Sequence, residues 1–216
     1  MTREELIKKV ALKMDEISSS DDVIIAVNAG DNNPLYTQIN SLLNESVNDV
    51  LTKAPIHRLQ SQIGVINSGT TTDSTTYAPR KVACITVPDD FIRVASITDS
   101  AFKRPIVDLS IEGDDISNRQ SNKFLIAKNA KPIAVLGRDG NGKRTIKCFS
   151  YASSETPNPT TLYVKRYEST DMSADTGFDD YLIDIISWVC AGRVFAAQGD
   201  VTKGQICDTN ASALMI

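Results

Sequence analysis

The sequence predicts an α+β protein: a helical bundle drawn from both chain ends, with an antiparallel β-domain inserted between them. Three observations predict it. Apolar residues recur at three-and-four spacing in residues 1–60 and again in 177–216, the pattern of amphipathic helices. Residues 80–168 instead break into short runs of β-branched and aromatic residues separated by turn residues. Residues 61–79, dominated by Gly69-Thr-Thr-Thr-Asp-Ser-Thr-Thr76, are too polar to bury and read as a flexible loop.

The elements follow in order. Thr2 and Glu5 form a capping box, with Leu6, Ile7, Val10, Met14 and Ile17 as the stripe behind it; this helix stops near Ser18–Ser20. Asp21–Gly30 holds the apolar run Val23-Ile-Ile-Ala-Val27, which fits either an edge strand or a docking loop. Asn33-Pro34 starts a second helix, carried by Leu35, Ile39, Leu42, Leu43, Val47, Val50, Leu51 and Ala54 and ended by Pro55. The expected strands are Lys81–Val87, Phe91–Ile97, Phe102–Leu109, Lys123–Ala127, Pro132–Leu136, Lys143–Tyr151 and Thr161–Tyr167. Val87-Pro-Asp-Asp-Phe91 supplies one turn, and Ser169–Gly177 leads back to helix.

Phe178–Gln198 is the most apolar helix in the chain. Phe178, Tyr181, Leu182, Ile185, Ile186 and Val189 form one face, and Ile183, Cys190, Val194 and Ala197 extend it round the side. Only Asp180, Asp184, Ser187 and Gln198 remain for water. Such a helix lies inside a core or between subunits. Arg193 stands on its apolar side and needs a carboxylate or free carbonyls. The partner belongs to the first two helices, or lies across a subunit boundary, or the side chain snorkels to water. Ile183, Cys190, Arg193 and Val194 are therefore the candidate subunit-interface residues. After Gly199-Asp200 a weaker helix follows, and no charged side chain occurs after Asp208. Leu214, Met215 and Ile216 form a candidate docking tail.

Bulk composition excludes several functions. With 41% hydrophobic residues, 23% charged and a net charge of −4, composition argues against DNA or an anionic membrane as the main partner, and it leaves a local basic rim in an assembly open, since net charge does not fix distribution. No secretory signal is expected at the charged N-terminus. Asp184 and Arg193 interrupt the long helix, so no membrane span is expected. Four scattered cysteines and the single His57 make no zinc pattern.

No catalytic, cofactor or metal residue stands out. Gly137-Arg-Asp-Gly-Asn-Gly-Lys143 imitates a phosphate loop, but Arg144 follows where Ser or Thr is required, and a strand follows instead of a helix. A hairpin is the better reading. As a calcium loop it fails, since Ser150 occupies the place of the bidentate Glu. Glu112-Gly-Asp-Asp115 reads as a turn or as the cap of a short helix Asp115–Gln120. His57 has no nucleophile elbow to serve. Tyr163 and Tyr167, beside Lys165 and Arg166, suggest either ordinary cross-strand packing or an aromatic platform. The platform gives a rival function: a β-rich ligand- or glycan-binding module with a helical collar.

Three stretches together carry a resemblance. Tyr181-Leu-Ile-Asp-Ile-Ile-Ser-Trp-Val-Cys-Ala-Gly-Arg-Val-Phe-Ala-Ala-Gln-Gly-Asp200 resembles the long helix and turn near the end of tailed-phage adaptor proteins. These are head–tail connector rings of short-tailed phages, crAss-like ones included. Val87-Pro-Asp-Asp-Phe-Ile-Arg-Val94 is similar to a turn and strand of their β-region, and Leu35–Ala54 looks like their N-terminal bundle helix. The resemblance implies a non-enzymatic virion protein of the neck or tail, made in the host cytoplasm and forming a ring of twelve copies. Its implied partners are the portal protein and further tail or ring proteins. DNA is implied only as cargo passing the channel, and no cofactor is implied.

Overall fold

A computed structural model describes residues 1–17, 34–67, 70–73, 80–122, 125–152 and 154–215. The protein is mixed α+β, with helices flanking a β region along the chain. It divides into a helical unit, Met1–Gln62 with Arg166–Ile216, and a β unit, Ile63–Lys165. Asp21–Gly30, with its apolar run, and the Asn33 cap lie outside the described residues.

In the helical unit, α1 (Arg3–Ile17) opens with the expected reciprocal cap. The Glu5 amide donates to Thr2 Oγ1 at 3.2 Å and the Thr2 amide to the Glu5 carboxylate at 2.8 Å. Leu6, Ile7, Val10 and Met14 are buried behind it. The second helix, α2 (Pro34–Lys53), buries Ile39, Leu43, Val47, Val50 and Leu51.

Asp179 caps the long helix α4 (Asp180–Ala197) by accepting from the Leu182 amide at 2.8 Å. It packs against α1, against α2 and against the C-terminal helix α5 (Val201–Leu214). At its end the Asp200 amide donates to the Phe195 carbonyl and the Gly199 amide to that of Ala196. This 6→1 and 5→2 pairing ends a helix on a left-handed residue, here Gly199 at φ 87°. Asp200 then caps α5 through the Lys203 amide at 3.0 Å. Gly192 and Gly204 let the two helices touch: a Cβ on Gly192 would lie 3.3 Å from the Gly204 carbonyl oxygen and 3.1 Å from Cys207 Cβ.

The β unit has two sheets. The smaller runs β1 (Ile63–Ile66), β8 (Thr160–Lys165), β4 (Phe91–Thr98). The larger runs β2 (Thr70–Asp73), β3 (Arg80–Thr86), β7 (Arg144–Ala152), β6 (Ala134–Arg138), β5 (Leu109–Ile111). Ala83, Ile85, Ile97, Ile146, Cys148 and Tyr151 belong to one core cluster, and Val82, Val135 and Phe149 to a second. Alternation along β3 thus feeds both faces of the larger sheet.

Four expectations need correction. Ile63–Ile66 and Thr70–Asp73 are strands within the stretch read as loop over 61–79. Phe102–Leu109 and the described part of Lys123–Ala127 are not strands, apart from Leu109 and an isolated bridge of Ile106 to Ile97. The domain is not wholly antiparallel: β5 and β6 pair in parallel, because residues 112–133, with the short helix α3 (Asp115–Arg119), cross over between them. On α4, Ser187 is buried, its hydroxyl donating to the Ile183 carbonyl at 2.6 Å, while Ala197 is exposed.

Residues 137–143 form the expected hairpin. The Asp139 amide donates to the Lys143 carbonyl at 2.8 Å, and β7 follows directly, so a strand and not a helix follows the loop. Asp114 caps α3 by accepting from the Ser117 amide. No described helix is long and apolar enough to cross a membrane.

Candidate assembly surface on the helical unit

Three of the four candidate interface residues are interior. Ile183 is 1% exposed, and Cys190 and Val194 are fully buried. The Cys190 thiol points at the Ile39 carbonyl of α2 at 3.9 Å, and burial pushes its pKa up to about 11. Within the protomer they are covered, because α1, α2 and α5 of the same chain pack against α4.

Arg193 is at the surface, its side chain 27% exposed. One Nη meets the Glu45 carboxylate at 2.9 Å and the other bonds the Asp49 carboxylate, both on α2. Its ion pairs are therefore within the chain. It lines a groove of about 520 Å³ with Asp49, Lys53, Val189, Asp208 and Met215. The groove brings together α2, α4 and the end of α5, and joins Arg193 to one residue of the candidate tail. Lys53 and Asp208 form no ion pair among the described residues. Leu214 is exposed, Met215 half-buried, and Ile216 lies outside the described residues. Elsewhere on its surface α5 leaves Val201, Ile206 and Leu214 exposed, unlike α4.

A polar seam escaped the sequence reading. Arg3 is 1% exposed. Its Nε donates to Asn40 Oδ1 at 2.9 Å, Nη1 to Asn44 Oδ1 at 2.7 Å and Nη2 to the Asn40 carbonyl at 3.1 Å. The guanidinium also lies 6.0 Å from the centroid of the Tyr167 ring. One turn further, Asn48 clamps the Tyr167 backbone, accepting from its N–H at 2.8 Å and donating to its carbonyl at 3.1 Å. Among the described residues no carboxylate pairs with Arg3, so neutral amides and a ring face carry its charge. The only signal in the sequence is Asn40, Asn44 and Asn48 at a spacing of four along α2.

Tyr163 and Tyr167 make no platform, being 6% and 8% exposed. Tyr163 stacks on Phe91 at 5.8 Å and donates its hydroxyl to Asp90; Tyr167 follows the end of β8 and packs on Phe178 at 5.4 Å. His57 is exposed in a single 3₁₀ turn, Ile56–Arg58. Among the described residues no three His, Cys, Asp or Glu side chains gather as a metal would need. Compared with known proteins, the sequence matches no family model and no curated protein.

Proposed function

We propose that the chain is a non-enzymatic virion protein of a tailed bacteriophage, building a connector ring between portal and tail. The observation that carries the proposal is the chain's organisation: both ends are gathered into one helical unit and the β unit is an insertion. In this reading α1, α2, α4 and α5 form a bundle, and the bundles of successive copies pack side by side. The surface for that packing is not the covered face of α4. It is the Asp49–Arg193–Asp208 groove with the bare apolar residues of α5. Lys53 and Asp208, without an ion pair among the described residues, suit a head-to-tail contact, which closes into a ring when the rotation allows. Leu214–Ile216 docks on the portal or the next ring, and the β unit meets tail parts.

Weak contacts between copies become strong when a portal ring presents many adjacent sites, so assembly is templated. Twelve copies would complete the ring in the neck of a virion, after synthesis in the host cytoplasm, with DNA passing as cargo. Electron microscopy of the purified protein with its portal tests this. Rings on the portal are the expected result; a protein that stays monomeric with portal present sinks the proposal.

A further inference from the structure

The β unit holds a cleft of about 620 Å³ where the turn between β3 and β4 meets the β6–β7 hairpin. The Val87 amide donates to the Arg144 carbonyl at 3.0 Å and ties the two loops together. Arg138, Lys143 and Arg144 line the cleft, with Asp89 as the one carboxylate among its described lining residues. Three cations less one anion leave it a formal +2, in a chain whose net charge is −4.

Two of the cations, Arg138 and Arg144, are held in place without being neutralised. Arg138 Nη1 donates to the Gly142 carbonyl at 2.8 Å. Arg144 lies 5.5 Å from the centroid of the Phe91 ring, with one Nη 3.4 Å from the Phe91 carbonyl oxygen. The nearby Asp139 is occupied by the Asn141 and Lys143 amides at 2.9 and 2.8 Å. Among the described residues no carboxylate pairs with any of the three cations. Elsewhere in the same unit Lys147 pairs with Glu112 and Arg119 with Asp115. At Gly140 and Gly142 a Cβ would meet nothing within 4 Å, so the hairpin tip is bare backbone open to a bulky ligand.

Guanidinium forks and an ammonium match phosphate oxygens, and the lining residues include no aromatic ring or side-chain amide to read a base. We propose that this cleft binds the phosphate backbone of duplex DNA without regard to sequence. The choice of duplex DNA among polyanions rests on the connector reading; the preference for a phosphate anion does not. Three contacts per copy give weak binding, which lets a duplex slide past, while a ring multiplies the number of such contacts.

The test titrates the full chain with a fluorescent duplex of mixed sequence between about 50 and 200 mM salt, at dilutions where it is monomeric. Log affinity should fall with log salt at a slope of about −2 to −3. Lys143→Gln and Arg138→Gln should each reduce that slope by about one, with thermal melting unchanged. An unchanged slope in the double variant overturns the site. Equal competition by polyglutamate assigns the cleft to an acidic protein surface, and equal competition by inorganic phosphate assigns it to a small anion; either removes duplex DNA as the ligand. Portal rings without salt-dependent DNA binding refute this site and spare the connector reading. DNA binding by a protein that never forms rings supports the site and refutes that reading.

Discussion

In the helical unit, several cations have partners of their own, although Lys53 forms no ion pair among the described residues. Arg3 is spent on Asn40 and Asn44, Arg193 on Glu45 and Asp49, Lys9 on Asp184, Arg58 on Asp179 and Lys203 on Asp200. In the β unit, Arg138, Lys143 and Arg144 share one cleft and have no carboxylate partner among the described residues. Both units bury apolar side chains, so the contrast is about what charge is for. In the first it positions helices and both ends of the chain. In the second, at this cleft, it faces solvent without a carboxylate partner among the described residues.

The sharpest way to break that contrast is at Arg3. Arg3→Ala strips the donors from the Asn40 and Asn44 side-chain oxygens, and each buried orphan costs about 1–3 kcal/mol. A loss of about 3 kcal/mol by urea denaturation is expected. A loss below 1 kcal/mol would mean that water replaces the guanidinium at no cost. Asn48→Ala comes next, at about 2 kcal/mol, because both Tyr167 backbone bonds go at once. Lys143→Gln, by contrast, should leave the melting temperature within error.

These residues also mark where sequence stops being informative. The helices were legible because their period is local: the Thr2–Glu5 cap, the α2 stripe and the Gly199 stop each need only a few neighbouring residues. The Arg3 seam was not, since its partners stand 37 and 41 residues away, and Asn48 holds a backbone 119 residues distant. Apolar coverage of α4 was legible, but not its source, because own helices and a neighbour's leave the same pattern. Cys190 and Val194 were assigned to an interface on that ambiguity. Ile63–Ile66 escaped because it is a four-residue edge strand with Val65 exposed, and the parallel β5–β6 pair because register across a crossover has no local signal. The basic cleft was half legible: the Gly137–Lys143 hairpin was, its meeting with the Val87–Asp90 turn was not.

Acid provides a milder comparison of the two units. Glu5 is held below its ordinary pKa by the Thr2 amide and hydroxyl, Asp175 by the N-terminal ammonium, Asp171 by Ser173 and Asp200 by the Lys203 amide. All four belong to the helical unit; in the β unit Glu112 is lowered by Lys147. A carboxylate with a lowered folded pKa stabilises above its unfolded value, about 4, and loses that contribution as pH falls through the folded value. The helical unit should therefore loosen first below about pH 4. Trp188, the single tryptophan and half-buried on α4, reports it by fluorescence, against the β-sheet signal in circular dichroism for the β unit. Simultaneous loss of both signals would deny the units separate responses.

The smallest effect on folding is expected at Arg193, and that smallness is its value. Its carboxylate partners are 67% and 50% exposed, so the pairs are screened by water and salt and contribute at most about 1 kcal/mol. Arg193→Ala should leave the denaturation midpoint almost unchanged. If the groove is where the next copy docks, the same variant uncovers Glu45 and Asp49 as unpaired anions beside Asp208, and the surface changes from mixed to acidic. Ring counts on the portal should then drop while monomer stability holds, and charge reversal at Asp208 (Asp208→Lys) should restore part of the loss. A variant that melts several kcal/mol early would place Arg193 with Arg3, as a residue that holds its own chain together. A variant that assembles normally would leave the groove with no part in the ring and shift the contact to the exposed side chains of α5.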